Sequence, residues 1–356
     1  MTREEAIAAG IEVRETKHSM KRRTPWHNYS HKGTYMLTLV VRDRAPLLGT
    51  LRTAQAAAGT RAASGTGVAE RAYVELSAVG KAIVEEEQRK INHFYPQVEV
   101  WKLCIMPDHL HMILRVKEDL GEGKHLGMVV AGFKGGCSKA AMRLGTTVLC
   151  ASAQKDNQSG RPGNNGGKLI PLFEDGYCDK ILLHEGQLDN WKHYLDDNPR
   201  RLMMKRQNPT LFTVLTGLAV AGEPCQVVGN RFLLDIPDKM AVVVHRRYTD
   251  EENARLRAEW LACGERGGVL VSAAISPKEK EVMREAMNRG YNIILLRENG
   301  FPKLYKPSGE AFDACAEGRL LQICPWDFHM DRKVITREQC LHLNALAERI
   351  AGARFQ

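Results

Sequence analysis

"IMPDHLHMIL", residues 105–114, carries two histidines, His109 and His111, inside a run that otherwise reads as a strand. Side chains alternate faces along a strand, so both imidazoles share one face while Leu110 points the other way. At about 3.3 Å rise per residue the rings lie roughly 7 Å apart along the strand, and they converge on one ion if the strand twists or curves. The competing reading is two hydrogen-bonded histidines at a strand edge. Pro107 and Asp108 form a turn-like break just before the pair, which exposes the strand start and favours a site.

The flanking segments frame this strand. "TYMLTLVVRD" (34–43) and "VEVWKLCIM" (98–106) read as further strands by alternation and β-branching. Residues 69–94 carry apolar side chains at helical spacing and predict one long amphipathic helix. Residues 125–145 predict a second helix, weakened by its glycines. Residues 186–197 predict a short helix that ends near Asn198, because Pro199 disfavours α geometry in the residue before it. Residues 44–66 read as an insertion and 152–168 as a flexible loop by composition.

That helix supplies partners for the histidines. In "WKHYLDDNP" Tyr194 and Asn198 are four apart and share a helical face. Asn198 offers a carbonyl oxygen to a hard cation, and Tyr194 then sits beside that cation. A phenol with a pKa near 10 is a poor nucleophile at neutral pH. A metal that polarises a phosphodiester makes it useful. Taken alone, Tyr194 reads better as a residue packing its helix on the sheet.

After about residue 226 the rhythm changes. Strands at 239–247, 268–275, 291–299 and 319–326 alternate with helices at 249–267, 276–290, 308–318 and 336–350. This alternation predicts an open, largely parallel α/β sheet. The boundary is expected near 215–230, giving a basic arm (1–33), a first domain (34–214) and a second domain (226–356). A chain of 356 residues agrees with two domains, since single cores rarely grow past roughly 250–300 residues.

Composition narrows the class. Hydrophobic residues make up 44% and charged residues 26%, ordinary for a globular protein. No apolar run reaches the roughly 18 residues of a membrane span. "MTREEAIAAG" lacks the apolar core of a signal peptide, and the nine cysteines form no CxxC pair, as expected of free thiols in a reducing cytoplasm. The net charge is +9 and the pI about 9.1. Basic residues cluster at 17–27, 200–206 and 245–248, which suits a polyanion partner or a solvated basic surface.

Four stretches together, "MPDHLHMIL", "AGFKGGCSKAA" (131–141), "FEDGYCDKIL" (173–182) and "WKHYLDDNPRRL" (191–202), resemble the single-tyrosine HUH transposases of bacterial insertion sequences. The Asn-Pro after the tyrosine is closest to the REP-associated branch. The resemblance spans roughly 34–212 and implies an α+β, ferredoxin-like domain, an antiparallel sheet with helices on one face. His109, His111 and Asn198 would hold Mg²⁺ or Mn²⁺, and imidazole ligands favour Mn²⁺ by softness. Tyr194 would attack single-stranded DNA, forming a 5′-phosphotyrosine and freeing a 3′-hydroxyl, with Tyr177 as the rival nucleophile. Lys134, Arg200, Arg201, Lys205 and Arg206 would contact phosphates, which fix position rather than sequence; ordinary surface charge is the alternative for each. The DNA partner would carry a hairpin. The family includes homodimers that donate the tyrosine in trans as well as monomers, and the sequence leaves both open.

Several features depart from the minimal members: the length, the 44–66 insertion, the 152–168 loop and the second domain. That domain faintly resembles the Rossmann-like DNA-processing protein A family and implies an accessory nucleic-acid or nucleotide-binding module. No GxGxxG is present, so dinucleotide binding has no support. Ser272 and Ser276 fall near a strand end and a helix start. Ser276 before Pro277 reads as an N-cap, with a phosphate held at that helix end as the alternative. Three functions therefore stand: a metal-dependent single-strand nickase and transferase, a non-catalytic single-strand binder on the same fold, and a phosphate-handling enzyme run by the second domain.

Overall fold

The computed structural model describes residues 24, 27–54, 71–146, 171–245, 248–302, 305–329 and 334–352. Most of the basic arm, the 152–168 loop and Arg246–Arg247 lie outside the described residues. The chain divides into two compact units, Met1–Met203 and Met204–Gln356.

The first unit is built on a four-stranded antiparallel sheet: β1 (Gly33–Val40), β4 (Val98–Ile105), β5 (His109–Val116) and β6 (Cys178–Ile181), ordered β4-β5-β1-β6. Helix α1 (78–94, including a π turn at Ile83–Glu87) joins β1 to β4, and α2 (Leu126–Arg143) joins β5 to β6. This β-α-β-β-α-β order is the ferredoxin-like arrangement. Between β1 and α1 a separate hairpin pairs β2 (Gly49–Ala54) with β3 (Arg71–Leu76).

Alternation decides what each face of the sheet covers. Tyr35, Leu37 and Leu39 of β1 and Leu110, Met112 and Leu114 of β5 pack with Val79, Ile83, Val129, Val130 and Phe133 of α1 and α2. Met36 and Ile113 point the opposite way and pack under Trp191 and Leu195 of α3 (Gln187–Gln207). The expected one-sided layering is therefore corrected: α1 and α2 cover one face and α3 the other. The reason is visible in β5, where Leu110 through Leu114 are all buried; a strand apolar on both faces needs cover on both.

Two boundaries also differ from expectation. Residues 71–76, expected as the start of the long helix, form β3, and Ser77 caps α1 by accepting from the Gly80 amide at 3.1 Å. Part of the 44–66 insertion is β2. Helix α3 does not stop at Asn198 but runs through Pro199 to Gln207. Proline forfeits one backbone bond, to the carbonyl four residues back. The buried anchors Trp191 and Leu195 and the helix-forming run "RRLMMKR" hold the helix through that loss.

Tyr35 is fully buried. Its hydroxyl lies 2.8 Å from His27 Nε2, and its ring stacks on Tyr29, whose hydroxyl donates to Asp179 at 2.7 Å. Burial pushes the Tyr35 hydroxyl up to about 12. A raised phenol leaves stability intact below pH 10, where the unfolded chain's tyrosine ionises, and withdraws it as pH climbs toward 12. Chemical unfolding of Tyr35→Phe between pH 9 and 12 is expected to show an alkaline loss smaller by roughly 2 kcal/mol than the wild-type loss; parallel curves would refute the assignment.

The second unit carries a six-stranded sheet ordered β7-β8-β12-β11-β10-β9. Strands β9 (Lys239–Ala241), β10 (Val269–Ser272), β11 (Asn292–Leu296) and β12 (Leu320–Cys324) are parallel, and the hairpin β7 (Leu215–Val220) and β8 (Glu223–Gly229) adds an antiparallel edge. Helices α4 (Asp250–Glu265), α5 (Pro277–Asn288) and α6 (Glu310–Ala316) cover one face, and α7 (Arg337–Ile350) the other. Each strand and helix expected after residue 226 is present. The division at Met203/Met204 falls earlier than the expected 215–230 because the β7–β8 hairpin joins this sheet. "LTGLAV" hides that strand, since Gly217 takes a positive φ of 75° and interrupts the alternation. No helix among the described residues is long and apolar enough to cross a membrane.

Candidate active site

His109 and His111 share the face of β5 that meets α3, as alternation required. Their ring centroids are 4.9 Å apart with planes at 83°, so the rings lean together beyond the strand spacing. His111 is 7% exposed. A hydrogen bond of 2.8 Å joins its Nδ1 to Thr38 Oγ1, and the β1–β5 register sets Thr38 directly opposite His111. His109 Nδ1 donates to Asp108 Oδ1 at 2.6 Å, and Arg44 Nη1 donates to Asp108 Oδ2 at 3.1 Å. Burial pushes the Asp108 carboxyl up, but the His109 hydrogen bond and charge, joined by Arg44, outweigh it and hold the group at about 2.

Helix α3 brings the tyrosine. The Tyr194 ring lies 5.6 Å from the His111 ring with planes at 69°, and 38% of the residue is exposed. The Arg201 guanidinium sits 5.8 Å from the Tyr194 ring centroid, two turns on along the same helix face, a cation–π distance. One turn after Tyr194, Asn198 is only 4% exposed, and its Nδ2 has no hydrogen-bond partner among the described residues. A buried amide donor left unsatisfied costs about 1–3 kcal/mol, so Nδ2 calls for a hydrogen-bond acceptor, whereas a cation would take the Oδ1 lone pairs. Among the described residues no cluster of three His, Cys, Asp or Glu forms a metal site. The expected ligands are two imidazoles and an amide oxygen, residue types that would suit a divalent ion of borderline hardness.

The other expected residues are placed as follows. Lys134 donates to the backbone carbonyls of Glu174 and Gly176, the latter at 2.9 Å, and burial lowers its pKa. Its ammonium thus braces the turn before β6. Tyr177, in that turn, packs against the core under α1 and α2, on the sheet face away from Tyr194. Arg200 forms a two-point pair with Asp197, with Nη2 to Oδ2 at 2.9 Å. Lys205 and Arg206 occupy the last turn of α3, past the division between the units.

Four contributors escaped the sequence reading. Thr38 is set by strand register across 73 residues, which no local pattern reveals. Arg44 follows Asp43 in a turn where both have positive φ, 55° and 51°, a strain of about 1–3 kcal/mol per residue. Asp108 stood beside His109 and was read only as part of a turn. Lys102 shares the histidine face by alternation with Cys104, and its Nζ meets Asp196 of α3 at 2.6 Å.

In the second unit the capping reading of Ser276 holds. Its Oγ accepts from the Glu279 amide at 3.2 Å, with Pro277 in the first turn. The buried Glu279 carboxylate accepts from the amides of Val244 (2.8 Å), Ile275 (2.7 Å) and Ser276 (3.0 Å). Ser272 is fully buried and bonds Val242 O and Ala274 N. A carboxylate of the chain thus takes the amides of Ile275 and Ser276 just before this helix.

No family model matches the chain, and no curated protein does. Among solved structures it is similar to a REP-associated tyrosine transposase bound to a REP hairpin, at 14% identity over 51% of this chain and 74% of that one, with a TM-score of 0.29. It is also similar to DNA processing protein A from Helicobacter pylori, described for its single-stranded DNA binding mode, at 18% identity over 39% of this chain and 65% of that one, with a TM-score of 0.29. At these scores neither neighbour's activity transfers to this chain.

Proposed function

We propose that the first unit cleaves and rejoins single-stranded DNA beside a hairpin, with Tyr194 as nucleophile and Mg²⁺ or Mn²⁺ held by His109, His111 and Asn198. The meeting of three rings carries this reading: His109 and His111 at 4.9 Å, and the part-exposed Tyr194 at 5.6 Å from His111. When bound, the cation polarises the scissile phosphate and offsets its charge. The Tyr194 oxygen forms a bond to phosphorus and gives its proton to solvent. The bond from phosphorus to the 3′ oxygen breaks, and that oxygen leaves as a hydroxyl after taking up a proton. The resulting 5′-phosphotyrosine keeps the strand end activated, so another 3′-hydroxyl reverses the step. Arg201, which lies over the Tyr194 ring, would meet the phosphate, and Lys205 and Arg206 would extend the positive charge along α3, with Arg200 joining them only by giving up its pair with Asp197.

A denaturing gel tests this. Full-length protein mixed with pooled labelled single-stranded hairpins and Mn²⁺ is expected to yield a protein–DNA adduct that survives boiling in detergent. Salt-sensitive binding without an adduct, across a pool of varied hairpins, would support the non-catalytic binder instead.

A second reading concerns the other unit. A cavity of about 480 Å³ at the carboxyl ends of β10 and β11 is lined by Lys280, Arg297 and Asn299 among others. Lys280 and Arg297 outnumber the one carboxylate of the wall, Glu298, and that balance beside such an edge suits a phosphate-bearing ligand, which supports an accessory nucleotide- or nucleic-acid-binding role.

A further inference from the structure

We propose that Asp108, clamped by Arg44, is a positioning residue that fixes His109 with Nδ1 protonated and Nε2 presented to the cation, and so sets how tightly the site holds a divalent ion. The inference rests on the cation-site reading above. A carboxylate only accepts hydrogen bonds, so the 2.6 Å contact with Asp108 Oδ1 places the hydrogen on His109 Nδ1. The lone pair is then on Nε2. Both Asp108 oxygens are engaged, Oδ1 by His109 and Oδ2 by Arg44 at 3.1 Å.

The clamp is built rather than incidental. An exposed Arg–Asp pair by itself is worth little, and the Arg44 side chain is 63% exposed. Yet Arg44 reaches Asp108 from a turn whose two consecutive residues hold positive φ, a conformation non-glycine residues avoid. Two backbone–backbone hydrogen bonds flank that turn, Val41 N to Asp108 O at 2.9 Å and Leu48 N to Pro107 O at 3.0 Å, and Asp43 N within it donates to the Glu174 side-chain Oε1 at 2.8 Å. The loop after β1 is thus held by the turn before β5 and the turn before β6, and it carries Arg44 to the Asp108 carboxylate. A carboxylate on the far nitrogen also makes the imidazole a stronger ligand, and losing such a partner typically weakens metal affinity 10–100-fold.

Mn²⁺ titration of the full chain without DNA, by calorimetry, tests the proposal. Asp108→Ala is expected to weaken binding by about 10–100-fold, Asp108→Asn by less, because its amide oxygen still accepts from Nδ1. Long-range ¹H–¹⁵N spectra of the metal-free protein are expected to show His109 protonated at Nδ1 in the wild type and a tautomer mixture in Asp108→Ala. Should Asp108→Ala fail to fold, Arg44→Ala carries the affinity comparison. Equal affinity of wild type and variant, or an Nε2-protonated His109 in the wild type, overturns the positioning role while leaving the cation site standing. A wild-type chain that binds no Mn²⁺ removes the cation site and this proposal with it.

Discussion

Tyr194→Phe is expected to abolish the covalent protein–DNA adduct and to cut strand cleavage by at least ~10³-fold, since loss of a nucleophile removes the covalent route. Phenylalanine keeps the ring, so the contact with His111 and the Arg201 approach survive. Single-stranded DNA affinity and Mn²⁺ affinity should stay within about twofold of the wild type. Stability should also hold, because a part-exposed hydroxyl contributes within roughly 0.5 kcal/mol. Adduct gels and filter binding on the same samples separate these outcomes. An adduct undiminished in Tyr194→Phe would end the assignment and turn attention to Tyr177, although that ring packs into the core under α1 and α2.

His111→Ala is the second large effect, and it acts on different observables. It removes a proposed ligand and deprives Thr38 of its 2.8 Å partner. Mn²⁺ affinity should fall by about 100-fold or more, because a ligand is worth more than an outer partner. Cleavage at fixed Mn²⁺ should fall with it, and excess Mn²⁺ should restore part of the rate. The variant should also lose about 1–3 kcal/mol of stability, since a nearly buried imidazole leaves both a void and an unpaired hydroxyl. Calorimetry, cleavage rates and thermal melts read the three separately. Wild-type cleavage by a His111→Ala chain that has lost Mn²⁺ binding would detach the cation from the chemistry.

Much of the site was legible because its pieces are local. His-x-His on a strand declares a shared face, and Tyr194 with Asn198 declares a shared helix face, from periodicity alone. The β/α alternation of the second unit is equally local, each element short and bounded by turns or caps. Misreadings arose where a local rule met a tertiary override. Pro199 argued for a helix end, but Trp191 and Leu195 anchor α3 on the sheet and the helix passes through. Residues 71–76 match helical spacing, yet pairing with β2 makes them a strand.

Residue order is enough to show that two histidines share a face, that a tyrosine and an asparagine share another, and that the chain changes architecture in its last third. Those are statements of period, and period is written in residue order. That the two faces oppose each other follows from packing instead, since it depends on α3 lying across Met36 and Ile113 on the sheet side away from α1 and α2. Folding alone supplied Thr38 through strand register and Arg44 through a strained turn, because contacts between residues far apart in the chain are fixed by sheet pairing and packing, which no local pattern encodes.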